Sequence, residues 1–169
     1  MRLLAGMFGV LLWQQPARTP DIHFTPTRHV IADAMLKLAN VGPGDTVYDL
    51  GSGDGRIPII AAQKYGAHGV GIEINPQLVE LSWEIANQAE VADRVKFIVG
   101  DVLEQDFSKA TVVTTYLNSS LMKMLEPRLR ALKPGSRIVS HQFTIPGWKP
   151  NRTIKVDEAD VMLWIVPKK

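Results

Sequence analysis

The chain has no cysteine, so a disulfide framework and any thiolate-ligated zinc are excluded, and with them a small stapled scaffold. Strong charge of either sign is missing too. The formal charge is +2 at pH 7, with Lys and Arg interspersed among acids. A polyanion-binding surface shows as a basic cluster, so no nucleic-acid partner is expected. No apolar run can span a bilayer: as a helix, the stretch Leu3 to Leu12 reaches ~15 Å, about half of a ~30 Å hydrocarbon core. Repeats, low-complexity tracts and linkers are absent. At 169 residues and 46% hydrophobic composition, the length is that of one domain with ample material for a core.

Residues 1–17 read as a signal-like or membrane-anchoring segment, with Trp13 at headgroup level, or as a packed N-terminal helix. Gln14-Gln15-Pro16-Ala17 offers no small-x-small cleavage site. The expectation is a domain over 18–169 and a cytoplasmic protein, with membrane association resting on residues 1–17 alone.

What the chain does have is one organising stretch. In Val47-Tyr48-Asp49-Leu50-Gly51-Ser52-Gly53-Asp54-Gly55-Arg56-Ile57 a short apolar run ends on a carboxylate and turns directly into alternating glycines. This reads as strand, tight loop, helix. Glycines at 51, 53 and 55 permit positive φ and let a ligand lie against bare backbone, while the following helix offers amide donors. Spacing selects the ligand. The dinucleotide fingerprint G-x-G-x-x-G, counted from Gly51, places its last glycine where Arg56 stands, which disfavours a nicotinamide oxidoreductase. A second run, Gly69 to Glu73, ends on an acid 22 residues after Gly51, where a carboxylate at a strand tip accepts ribose hydroxyls. A third, Val95 to Val99, ends in Gly100-Asp101, an acid placed for an adenine amino group, with Val102 beside the ring. Loop, ribose acid and adenine acid describe an adenosyl ligand.

Asp49-Leu50-Gly51-Ser52-Gly53-Asp54-Gly55, Gly71-Ile72-Glu73 and Gly100-Asp101 resemble the successive motifs of the class I, seven-β-strand S-adenosylmethionine-dependent methyltransferases, over about Thr25 to Val166. Phe24-Thr25-Pro26-Thr27, Thr111 to Leu117, Arg137 to Phe143 and Gly147-Trp148-Lys149-Pro150 further resemble the small broad-specificity and mitochondrial-type protein-lysine methyltransferases. The resemblance implies an α/β, Rossmann-like, doubly wound seven-stranded sheet, mostly parallel with a C-terminal antiparallel hairpin. It implies S-adenosyl-L-methionine as cofactor, held by Thr25, Thr27, Asp49, Gly51, Ser52, Gly53, Glu73, Ile74, Asp101 and Val102. Asp49 would hold the cofactor's amino end directly or through water. The implied acceptor is the ε-amine of protein lysine. A small-molecule N- or O-methyltransferase shares every one of these motifs, and a non-catalytic S-adenosylmethionine-binding module is the reading from another class. Methylation of nucleic-acid amino groups is disfavoured, because its Asp/Asn-Pro-Pro-aromatic motif is replaced by Asn118-Ser119-Ser120.

The remaining elements follow from pattern. Thr25 or Thr27 caps a first helix with a stripe of Val30 or Ile31, Ala34, Met35 and Leu38. A helix over Arg56–Tyr65 stops at Gly66, and Asn75-Pro76 opens one whose stripe is Leu78, Leu81 and Ile85. Strand four spans Ala110 to Tyr116; Ser119 or Ser120 caps the next helix, which Pro127 kinks or divides. Strand five covers Arg137 to Phe143, and two runs, Thr153 to Val156 and Val161 to Val166, make a terminal hairpin. On the acceptor side stand Tyr116 and Asn118 as catalytic candidates, with His141 near them. Tyr116 and His141 read equally well as core residues, and Trp148 reads as a cover over the core. Aligning and desolvating the acceptor is the expected chemistry, without a metal or a dedicated general base.

Overall fold

The computed structural model describes residues 24–168; the expected leader or anchor over 1–17 lies outside them. Among the described residues seven strands and four helices follow in the order α1 (His29–Leu38), β1 (Thr46–Leu50), α2 (Arg56–Tyr65), β2 (His68–Glu73), α3 (Pro76–Gln88), β3 (Val95–Val99), β4 (Val112–Thr115), α4 (Ser119–Arg130), β5 (Arg137–His141), β6 (Arg152–Val156) and β7 (Ala159–Ile165). The sheet order is β3-β2-β1-β4-β5-β7-β6. The first five strands are parallel, and β7 enters antiparallel between β5 and β6. This is the expected doubly wound sheet with a terminal hairpin. Its order reverses beside β1, and a ligand crevice opens at such a switch point, past the carboxyl ends of the strands.

Successive residues of one strand feed opposite cores. Val113 and Ile138 join Leu50, Ile72, Leu125 and Trp164 on one face; Val112 and Val139 join Val47, Met35, Ile57 and Val161 on the other. Strands buried on both sides read as continuous apolar runs, which explains the β-branched content of β4. Edge strand β6 keeps Arg152 and Lys155 exposed, a blunt edge against strand addition.

Several expectations are corrected. No side chain caps α1, whose N-cap is Arg28; Thr27 faces His141 instead. The buried stripe of α1 is Ile31, Ala32, Met35 and Leu36, leaving Val30 52% exposed. In α3 the buried residues are Val79, Ser82 and Ala86, not Leu78, Leu81 and Ile85. The reason is close approach: a Cβ on Gly55 would sit 2.8 Å from the Ser82 Cβ, so this helix presents its small side chains to the loop and sheet. Asn118, rather than either serine, caps α4, its Oδ1 accepting from the Leu121 amide at 2.9 Å. Pro127 lies inside an undivided α4; it and Lys123, whose carbonyl loses its donor, are exposed, so water can satisfy the orphan. Strand β4 is shorter than expected, and β5 ends at His141 because Gln142 turns out of the sheet at φ 69°.

Candidate functional site

A cleft of about 330 Å³ opens over the tips of β1, β2 and β4 and the loop after β3, at the small end of ligand pockets. It brings together every expected cofactor residue: Thr25, Thr27, Asp49, Gly51, Ser52, Gly53, Glu73, Ile74, Asp101 and Val102 line it, and so do Tyr116 and Asn118. His141 lies outside this cleft, in a shallower cavity that shares Thr25, Pro26 and Tyr116 with it.

The glycine loop is folded on its own bonds. Amides of Gly51 and Ser52 donate to the Ile72 carbonyl, and that of Gly55 to the Ser52 carbonyl. The Gly53 amide donates to Glu73 Oε2 at 2.9 Å. All three loop glycines take positive φ, 77°, 54° and 75°, as their spacing predicts. With four loop amides already bonded, the loop does not offer the fan of free donors that a pyrophosphate requires. It offers carboxylates instead. Glu73 bridges two amides, its Oε1 accepting from Asn75 at 2.9 Å, which answers why a carboxylate is tolerated at 8% exposure at the end of an apolar strand. Each oxygen retains capacity for a hydroxyl donor. Asp101 accepts the Leu103 amide at 2.9 Å. Ser52 turns its hydroxyl toward Gly71, whose added Cβ would lie 2.5 Å from it, so any contact Ser52 makes in the cleft comes from its backbone.

Asp49 is 3% exposed and accepts the Thr114 hydroxyl at 2.7 Å. Burial pushes its carboxyl up to about 7, against the pull of Thr114 and with the charges of Glu73 and Asp54 adding to the rise. A cation at the loop would drive off that proton. Because the folded group holds its proton above its ordinary value of 3.8, its stabilising contribution is whole below that value and is lost as pH rises through about 7. The melting temperature of the cofactor-free protein is therefore expected to fall, on account of Asp49, over this window. Asp49→Asn, which keeps an acceptor for Thr114, should flatten the fall in a pH series of thermal melts. An undiminished fall in the variant would assign the dependence to other groups.

The roles of four supporting residues escape sequence reasoning. Arg56, seen there only as the residue that spoils the dinucleotide fingerprint, is paired with Asp54 and donates to the Thr27 carbonyl at 2.9 Å, fastening the 24–28 lip to the loop. Phe24 lies over Gly53, where an added Cβ would sit 2.3 Å from its ring. Arg128 reaches from α4 to the carbonyls of Val102 and Leu103 and covers the Phe107 ring, fixing the loop that carries Asp101. Thr114 carries no signal beyond its place in β4. Trp148 packs against the core, and its carbonyl accepts the Trp164 indole at 2.7 Å.

The far end of the cleft is different in character. Tyr116, Leu117, Leu121 and Phe143 wall it, with the Tyr116 and Phe143 rings 5.9 Å apart. Carboxylates and bare backbone at one end, aromatic and aliphatic walls at the other, fit a cationic adenosyl sulfonium with an acceptor brought to its methyl. Thus the residues present suit S-adenosylmethionine.

The comparisons agree. The family model of the ANTKMT methyltransferase domain matches residues 49–152. A protein-lysine N-methyltransferase of Saccharolobus islandicus (strain REY15A) is 40% identical over 144 residues, 84% of this chain and 89% of that protein. An adenine nucleotide translocase lysine N-methyltransferase of Mus musculus is 37% identical over 118 residues, 69% of this chain but only 51% of that protein. The solved structure of an RNA methyltransferase from Salinibacter ruber in complex with S-adenosyl-L-homocysteine superposes with a TM-score of 0.84 at 48% identity, covering 86% of this chain and 95% of that one. The lining of the cleft and these likenesses converge: the chain belongs to the ANTKMT methyltransferase-domain family and is a class I, S-adenosyl-L-methionine-dependent methyltransferase.

Proposed function

We propose that the methyl acceptor is the ε-amine of lysine in a protein. The observation that carries this reading is that two relatives, matched over 84% and 69% of this chain, are named for lysine methylation. The walls of the cleft support it. When bound, S-adenosylmethionine supplies a methyl group on a positively charged sulfur, open to in-line displacement by a lone pair. An amine attacks only when neutral, yet lysine's reference pKa is about 10.4. Tyr116, Leu121 and Phe143 make an end that solvates an ammonium poorly, which favours the uncharged amine and excludes competing water. Asn118 holds the first turn of α4 and with it Leu121, by its bond to the Leu121 amide. The chain's part is to bind, orient and dry the reactants, so alignment carries the rate.

A second reading has its own observation: the Salinibacter ruber structure is that of a protein named as an RNA methyltransferase. Incubating the full chain with labelled cofactor, mixed proteins and total RNA, then locating the added methyl by mass spectrometry, separates the two. Methyl on lysine side chains is expected. Label confined to RNA, or to a small molecule, would overturn the lysine reading and leave the cofactor assignment intact.

A further inference from the structure

His141 sits at the tip of β5, 6% exposed, and takes no direct part in the cleft. Its ring lies flat against Tyr116, centroids 3.9 Å apart at 28°. Its Nδ1 is hydrogen bonded with the Thr27 hydroxyl, 3.3 Å away. Thr27 is in turn held through its carbonyl by Arg56, and Arg56 by Asp54 of the glycine loop. The imidazole therefore joins two things that must be in register during transfer: the wall the acceptor meets and the lip over the cofactor loop. A ring stacked flat offers Tyr116 its π face, with Nδ1 tied to Thr27, so it acts on the acceptor through Tyr116.

We infer that His141 is a positioning residue for methyl transfer, fixing Tyr116 against the lip residue Thr27 so that the acceptor wall and the cofactor cover are set together. The inference rests on the reading of the acceptor as an amine that reacts when neutral. A neutral imidazole suits the task. Burial and the charge of Arg28 both lower the affinity of His141 for a proton. Arg28 faces it from the start of α1, paired with Asp157 of the β6–β7 turn at 2.7 Å, and Glu158 of the same turn lines the shared cavity with Gln142. Protonation would place a second cation beside Arg28 and behind the wall that receives the amine, and would alter the bond to Thr27.

The test uses the full chain with saturating cofactor, so that Asp49 does not enter the profile. Wild type alone decides the acceptor: methylation of a lysine peptide is expected, and if RNA is methylated instead the lysine reading fails while the variants are compared on RNA. His141→Ala is expected to lower acceptor kcat/KM about 10- to 100-fold, the scale of a small misplacement, with cofactor Kd changed far less. His141→Gln, able to accept from Thr27 and to lie against Tyr116 without titrating, should restore most activity near neutrality. It should also lack the additional acid-side fall in kcat/KM that wild type shows beyond that of the amine itself. Independently of turnover, imidazole ¹⁵N spectra should show a hydrogen-bonded Nδ1 on His141 that Thr27→Val abolishes. Unchanged acceptor kinetics in His141→Ala, a glutamine variant as impaired as alanine, or spectra indifferent to Thr27→Val would each overturn the assignment.

Discussion

Glu73→Ala is expected to abolish measurable S-adenosylmethionine binding in calorimetric titration, an affinity loss of about 100-fold or more. Hydrogen bonds to a charged group contribute about 1.5–3 kcal/mol each, and a carboxylate accepting two ribose hydroxyls stands to lose two of them. The structure adds a second reason for a large effect, because Glu73 also bridges the amides of Gly53 and Asn75 and so holds the loop to the end of β2. The two contributions are separable. If Glu73 takes the sugar hydroxyls, wild type should bind a 2′-deoxy analogue of S-adenosylhomocysteine about 10-fold more weakly than the parent, and Glu73→Ala should not discriminate between them. Equal binding of both compounds by wild type would remove the sugar assignment and leave Glu73 as a loop clamp. Thermal melts of the variant check that the domain is intact.

Gly55→Ala is expected to be the most damaging single methyl in the glycine loop. The residue sits at φ 75°, and an added Cβ would lie 2.6 Å from the Phe97 ring and 2.8 Å from the Ser82 Cβ. A left-handed conformation costs an ordinary residue roughly 1–2 kcal/mol, and overpacking a filled site typically costs a further ~1–3 kcal/mol. Together these lower the melting temperature by about 5–15 °C in a domain of this size. Two controls divide the effect. Gly147 has φ 73° with nothing within 4 Å of an added Cβ, and Gly44 has neither positive φ nor a close neighbour. Gly147→Ala should therefore show the backbone cost alone, and Gly44→Ala almost none. If Gly55→Ala melts no lower than Gly147→Ala, α3 yields easily and the tight seat of Ser82 on the loop is not a constraint.

That seat also explains what pattern reasoning can and cannot reach. Spacing identifies the glycine loop and the acids at 49, 73 and 101, because an apolar run that ends at a carboxylate leaves a one-dimensional trace. It also locates α2 and its stop at Gly66, which adopts the left-handed conformation at φ 66°. The buried face of α3 is not legible. Large apolar residues at helical spacing nominate Leu78, Leu81 and Ile85, yet the helix approaches so closely that Ser82 and Ala86 go inside, a choice set by the glycines of another segment. The threonines before α1 mislead for a similar reason. Their type suits a helix cap, but Thr27 is claimed by His141, 114 residues away. Asn118 stands out on the substrate side, while its cap to Leu121 is hidden behind two serines of equal capping propensity. Arg128 reads as an ordinary helical cation until the fold places the Val102 and Leu103 carbonyls under it.

One consequence of the self-bonded loop concerns rivals for the cleft. Adenosine triphosphate carries the same base and sugar, but its phosphoryl chain would run past Asp49 and Asp54 with the loop's donors already engaged on Ile72, Glu73 and Ser52. The loop thus offers a phosphoryl chain few free amides, and its Arg56 is already engaged by Asp54. Discrimination between adenosine derivatives is thereby expected to rest on what hangs from the 5′ carbon, with a phosphoryl chain the poorer fit.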